Sequence, residues 1–155
     1  MSHKPELLAA ITENQEELEA VVAAYGVQLD AELDGDWTVR DAVAHVAVWE
    51  RVAVRKINGT PLPVGEELAA RRPWDLDAFN EGMRDLLRSW SDEQILAEFG
   101  AAHHALRLVV EGASEEDCVP KGKVWQVIEE DSAGHYHFHF PVRDVMSERW
   151  PSDAA

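Results

Sequence analysis

Cysteine is almost absent from this 155-residue chain. Cys118 stands alone, so no intrachain disulfide can form, and a reducing compartment is the expectation. Cations are also scarce: 14 Lys and Arg stand against 30 Asp and Glu, a formal net charge of -16. Such a surface repels polyanions and anionic lipid, which argues against a nucleic-acid partner and against docking on a membrane. No apolar run approaches the roughly 20 residues that a membrane span requires. The opening Met1-Ser2-His3-Lys4-Pro5-Glu6 lacks the apolar stretch of a secretory signal. Internal repeats and low-complexity tracts are missing as well. The expectation is a soluble, cytoplasmic protein of one domain over residues 1–155. A chain of this length buries about 68–70% of its unfolded surface and needs no disulfide or metal merely to fold.

What the chain does contain is helical periodicity, with 46% apolar residues to supply an ordinary core. A first helix begins at Pro5, a good first-turn residue, and stops near Gly26; its apolar positions are Leu7, Leu8, Ile11, Leu18, Val21, Val22 and Tyr25. Glu13, Glu16, Glu17 and Glu19 form its solvated face. Gly35-Asp36 marks a turn, and Thr38 with Asp41 makes a capping pair for a second helix, from about Val39 to Ile57, ending at Asn58-Gly59. That helix is apolar on most sides, as if wedged between neighbours. Residues 60–74, with Pro61, Pro63, Gly65 and Pro73, read as a long connection of the kind that is often functional.

A third helix runs through Leu76, Phe79, Met83, Leu86, Leu87 and Trp90, with a break that Ser91 and Gln94 restart, and continues through Ile95, Phe99, Ala102, Leu106 and Val109 to Gly112. A short capped turn follows at Ser114-Glu115-Glu116-Asp117. The last helix is read from Val124 to about Trp150, with an inward stripe of Trp125, Ile128, Ser132, His135, His139, Val142 and Met146. Gly134 and Pro141 weaken it, and Pro141 should kink it. Four main helices with one long crossover make an all-α chain of the four-helix-bundle class.

The chemistry concentrates in Gly134-His135-Tyr136-His137-Phe138-His139. On a helix, His135 and His139 share a face and two imidazoles can converge on one ion. His137 points roughly 160° away from His135. A third ligand must come from another helix, and His45, within Val43-Ala44-His45-Val46-Ala47-Val48, is the best placed. Three neutral imidazoles suit zinc, nickel or iron(II) and leave positions open for water or substrate. Such an ion lowers the pKa of bound water toward ~7. Against this stand two plainer readings. The buried histidines can be satisfied by a carboxylate such as Asp131, one turn before His135. Alternatively, His135, His137 and His139 line one face of a strand, although almost no other segment reads as a strand. His103 and His104 are read as surface and groove residues rather than ligands.

The segment Gly35-Asp36-Trp37-Thr38-Val39-Arg40-Asp41-Ala42-Val43-Ala44-His45-Val46-Ala47-Val48-Trp49-Glu50 resembles the W-[ST]-V-x-D-x-L-A-H-L-x-x-W-E stretch of DinB-like four-helix bundles. Lys4-Pro5-Glu6-Leu7-Leu8-Ala9-Ala10-Ile11, Ala113-Ser114-Glu115-Glu116-Asp117 and Gly134-His135-Tyr136-x-x-His139 are similar to the ClbS/DfsB branch of that superfamily. The resemblance covers residues 3 to 149, and Pro141 departs from its pattern. It implies an up-down bundle with a crossover and a divalent metal held by His45, His135 and His139. It also implies chemistry on a reactive small molecule. That chemistry is either hydrolytic ring opening, as in colibactin-type self-resistance and detoxification, or thiol transfer and isomerisation with mycothiol, bacillithiol or glutathione.

Trp49, Trp74 and Trp125 are candidates to wall a substrate pocket, with core packing as the plainer role of each. Glu50 is a candidate general base and Tyr136 a candidate proton donor. The locally basic Arg51, Arg55, Lys56, Arg71 and Arg72 would either hold the carboxylates of a low-molecular-weight thiol or bridge to the acidic first helix. A sequestering protein without turnover is the alternative function. A homodimer is expected from the resemblance.

Overall fold

The structure, a computed structural model, describes residues 3–25, 29–34, 36–59 and 76–132. Among these residues the chain is mostly helical. Helix α1 spans Lys4–Tyr25, strands β1 and β2 span Glu32–Asp34 and Trp37–Thr38, and α2 spans Val39–Asn58. Helices α3, α4 and α5 follow at Leu76–Leu87, Asp92–Gly112 and Lys123–Asp131. The connection over residues 60–75 and everything after Ser132 lie outside the described residues.

Helix α2 is the axle of the molecule. Eleven of its residues are buried, on nearly every side, and it packs against α3, α4 and α5. Its start is fixed locally by a capping box. The Thr38 hydroxyl accepts from the Asp41 amide at 3.2 Å, and the Asp41 carboxylate accepts from the Thr38 amide at 3.1 Å. Its end is fixed by Gly59, which sits at φ 68° in the left-handed region that glycine enters without steric cost. Arg55 and Lys56 occupy the last turn, where the helix dipole favours cations.

Asp41 does more than cap. It is buried, and Arg88 at the end of α3 grips it through Nη2 at 2.9 Å and Nε at 3.3 Å. Arg88 also donates to the Asp36 carbonyl at 2.6 Å. The same connection carries β1 and β2, a two-stranded antiparallel ribbon pairing Glu32 with Thr38 and Asp34 with Trp37. The sequence shows no strand here, because three and two residues are too few to display alternation. The ribbon is short, and two arginines add contacts to it: Arg88 at the Asp36 carbonyl, and the Arg84 guanidinium 5.1 Å from the Trp37 ring.

The third helix of the sequence reading is two helices here. After Leu87 the chain turns, and Ser91 caps α4 through a second capping box with Gln94, at 3.1 and 2.8 Å. Ile95, Phe99, Ala102, His103, Leu106 and Val110 are its buried stripe. At the far end Ser114 Oγ accepts from the Asp117 amide at 3.2 Å, the capped turn expected there. Gly122 then passes so close to the Asp117 carbonyl that any Cβ would collide with it.

Helix α5 closes at Asp131. Ser132, at φ −133° and ψ −112°, is not helical, so the single helix expected from Val124 to Trp150 is interrupted at the residue where its inward stripe was to continue. Gly134, two residues further on, is among the poorest helix formers and gives the interruption a local reason.

Among the described residues, two apolar clusters fill the interior. The first gathers Leu18, Leu29, Val43, Ala47, Phe99 and Ala102, among others. The second gathers Leu7, Ile11, Ala53, Leu106, Val110 and Ile128, among others, with Cys118. On α2 the change from one cluster to the other falls between Ala47 and Ala53, and on α4 between Ala102 and Leu106.

Candidate functional site

His45 lies in the third turn of α2 on the face toward the ribbon and α3, and it is half-buried. Its ring stands edge-on between two indoles, with centroids 5.7 Å from Trp37 and 6.3 Å from Trp49. Trp49, one turn later, is held in turn by Phe79 at 5.6 Å, and its Nε1–H donates to Asn80 Oδ1 at 2.9 Å. Four residues apart on α2, His45 and Trp49 stand side by side. Such packing restricts the imidazole to few orientations, which is what a ligand or a proton carrier requires.

Glu50 is elsewhere. Five residues after His45, it is turned about 140° around the helix. It is fully buried, and its Oε1 lies 3.4 Å from Nδ1 of His103 on α4. Placement at the changeover between the two apolar clusters makes this pair a polar layer across the α2–α4 contact. His103 Nδ1 thus faces the carboxylate, and its Nε2 has no hydrogen-bond partner among the described residues. His103 is 2% exposed, which corrects its reading as a surface or groove residue; His104 is the exposed one of the two. The signal was present in the sequence: His103 lies one residue after Ala102 and three before Leu106, inside the apolar stripe. Glu50 thus meets His103 across the α2–α4 contact.

Trp125, on α5, packs on the second cluster. Its ring is edge-on to His3 at 5.9 Å and its Nε1–H donates to Glu129 at 2.9 Å. Trp49 and Trp125 thus have different neighbours. Trp74, His135, Tyr136 and His139 lie outside the described residues. No group of three His, Cys, Asp or Glu side chains among the described residues is arranged to hold a metal ion. Of the expected three-imidazole donor set they contain His45 alone.

A cavity of about 360 Å³ opens between α2, α3 and α4. Ala44, Ala47, Val48 and Val52 form its α2 wall, Phe79, Met83 and Leu87 its α3 wall, and Ile95 part of its α4 wall. Leu86 and Trp90, respectively 49% and 38% exposed, also line it. Arg51, Arg55 and Glu98 are the charged residues lining it. Arg51 binds Glu98 in a two-point fork, Nε at 2.6 Å and Nη2 at 3.2 Å, and this pairing raises the Arg51 pKa. Lys56, in the same basic stretch, pairs with buried Asp131 at 2.8 Å. Both bridges run to α4 and α5 rather than to the first helix. Arg71 and Arg72 lie outside the described residues.

Cys118 is fully buried in the second cluster, and desolvation pushes its thiol pKa up. A thiol held protonated in apolar surroundings is a poor nucleophile, so any thiol chemistry would draw on a thiol from outside the chain. No helix among the described residues is long and apolar enough to cross a membrane. Comparison with protein-family models, with curated proteins and with solved structures finds no match.

Proposed function

We propose that this chain is a small-molecule-binding protein of the DinB-like four-helix-bundle type with a long crossover, and that its ligand occupies the cavity between α2, α3 and α4. The observation that carries this reading is the cavity itself. Its volume falls within the range of small-molecule sites, its lining is mostly apolar, and Arg51, Arg55 and Glu98 are among the residues that line it. Ala44 and Ala47 create the space, because the two small residues leave the α2 wall unfilled where α3 and α4 approach. The test is saturable binding of the neutral fluorescent probe N-phenyl-1-naphthylamine, with and without Val48→Trp, which fills the cavity from the α2 wall. One site per chain, lost in the variant, is the expected result. Equal binding by both proteins refutes the placement.

A second reading is favoured by the fixed ring of His45. In it, the cavity belongs to a metal-dependent enzyme acting on a reactive small molecule, with His45, His135 and His139 holding zinc, nickel or iron(II) and Tyr136 near the reacting groups. A divalent ion there would supply a hydroxide nucleophile or polarise an electrophile. Elemental analysis of untagged protein distinguishes the readings. About one ion per chain, lost in His45→Ala and His139→Ala, supports the enzyme; no ion after incubation with each metal leaves the sequestering protein.

A further inference from the structure

We infer that the cavity between α2, α3 and α4 takes an uncharged aromatic molecule of two or three rings; the inference rests on the cavity reading above and adds the size and chemistry of the ligand. The cavity measures about 360 Å³, which is about 2.4 times the roughly 150 Å³ of an apolar cavity that holds one benzene. Scaling by volume gives about 14 carbon atoms, the size of two or three fused rings. The charged side chains of the lining are already matched. Arg51 grips Glu98 through two hydrogen bonds, at 2.6 and 3.2 Å. The charge of Glu50 acts on Arg51 as well, and Arg55 is likewise engaged. A ligand carboxylate would have to compete with Glu98 for Arg51, and a ligand ammonium with Arg51 for Glu98. Against the apolar remainder, either charge would lose hydration without gaining a counter-ion. An uncharged ligand meets neither cost.

The α3 wall and the turn after it favour rings. Phe79, Met83 and Leu86 follow at spacings of four and three, which is one face of α3, and Trp90 continues the lining past the end of that helix. Ring–ring contacts with Phe79 and Trp90, and sulfur–ring contacts with Met83, add to simple area burial and are denied to a saturated ligand.

Isothermal titration at neutral pH with 2-naphthol, decahydro-2-naphthol, 2-naphthoate and 2-naphthylmethylamine separates charge from aromaticity, since the first two are uncharged, the third is an anion and the last a cation. Both charged compounds are expected to bind at least about tenfold more weakly than 2-naphthol. Trp90→Leu should lower the affinity ratio of 2-naphthol to decahydro-2-naphthol about fivefold, the worth of one ring–ring contact, with decahydro-2-naphthol itself nearly unchanged. Trp90 is 38% exposed, so this variant spares the fold; Phe79→Leu should move the ratio the same way, although Phe79 also packs on Trp49. A charged compound binding as tightly as 2-naphthol, or a ratio that neither variant changes, overturns the inference and leaves the cavity reading intact. So does failure of 2-naphthol to bind protein that still takes up N-phenyl-1-naphthylamine. Equal binding of 2-naphthol by wild type and Val48→Trp overturns both.

Discussion

Glu50 and His103 meet where two apolar clusters abut, and replacing either alone should be severe. His103→Leu strips a fully buried carboxylate of its imidazole partner, and Glu50→Leu leaves a buried imidazole without its acceptor. Breaking a buried pair from one side costs about 3–5 kcal/mol, because the surviving polar group keeps its desolvation penalty. At 3.4 Å the contact is long, which places the expectation near 3 kcal/mol for each single variant. Against a total stability of about 5–15 kcal/mol, either loss is large. The double variant Glu50→Leu/His103→Leu removes both polar groups, keeps comparable volume and joins the two clusters into one. Its cost should be within about 1 kcal/mol of wild type, or negative. Urea unfolding followed by far-UV circular dichroism gives all four corners of the cycle, with an expected coupling of several kcal/mol. Single variants that each cost under about 1 kcal/mol and add in the double would refute the claim that the pair is a mutually dependent layer.

Three further outcomes follow from the same geometry. Burial holds the Asp131 carboxyl above its usual 3.8, with Lys56 opposing the shift. The unfolded chain therefore gives up this proton first as pH rises. Wild type should lose stability relative to Asp131→Asn as pH climbs from about 3.8 through the raised folded value, with the difference constant above it; urea midpoints from pH 3.5 to 7 read this, and a flat difference contradicts it. Asp41→Ala removes the carboxylate half of the α2 capping box and the Arg88 contact together, for about 2 kcal/mol, or roughly 4–8 °C in Tm by calorimetry. Arg88→Ala alone should cost less than half of that, since Arg88 is 39% exposed and exposed pairs contribute little.

The parts of the fold legible in the sequence are those whose causes are local. Thr38 with Asp41, and Ser91 with Gln94, act over three residues, so both helix starts could be read from spacing alone. Asn58-Gly59 marked the end of α2 for the same reason. The wedged character of α2 followed from Val43, Ala44, Val46 and Ala47 lying on different sides of it. The cavity was not legible, because it is the space left by three helices distant in sequence, and Ala44 and Ala47 look like ordinary helix formers. The Glu50–His103 pair spans 53 residues. Each member stands in a core phase of its own helix, but only the packing of α2 on α4 brings them together. His135 and His139 were read by extending a helix through Ser132, where α5 ends.

The central claim is that the cavity between α2, α3 and α4 receives a ligand. The chain has four isoleucines, at positions 11, 57, 95 and 128, and of these Ile95 lines the cavity while Ile11 and Ile128 lie in the second cluster and Ile57 packs against it. Labelling the isoleucine δ1 methyl groups with carbon-13 therefore yields one reporter at the cavity and three controls elsewhere. Titration with N-phenyl-1-naphthylamine should shift the Ile95 methyl resonance saturably while the other three stay in place. An unmoved Ile95 signal, or equal movement of all four, would contradict the account.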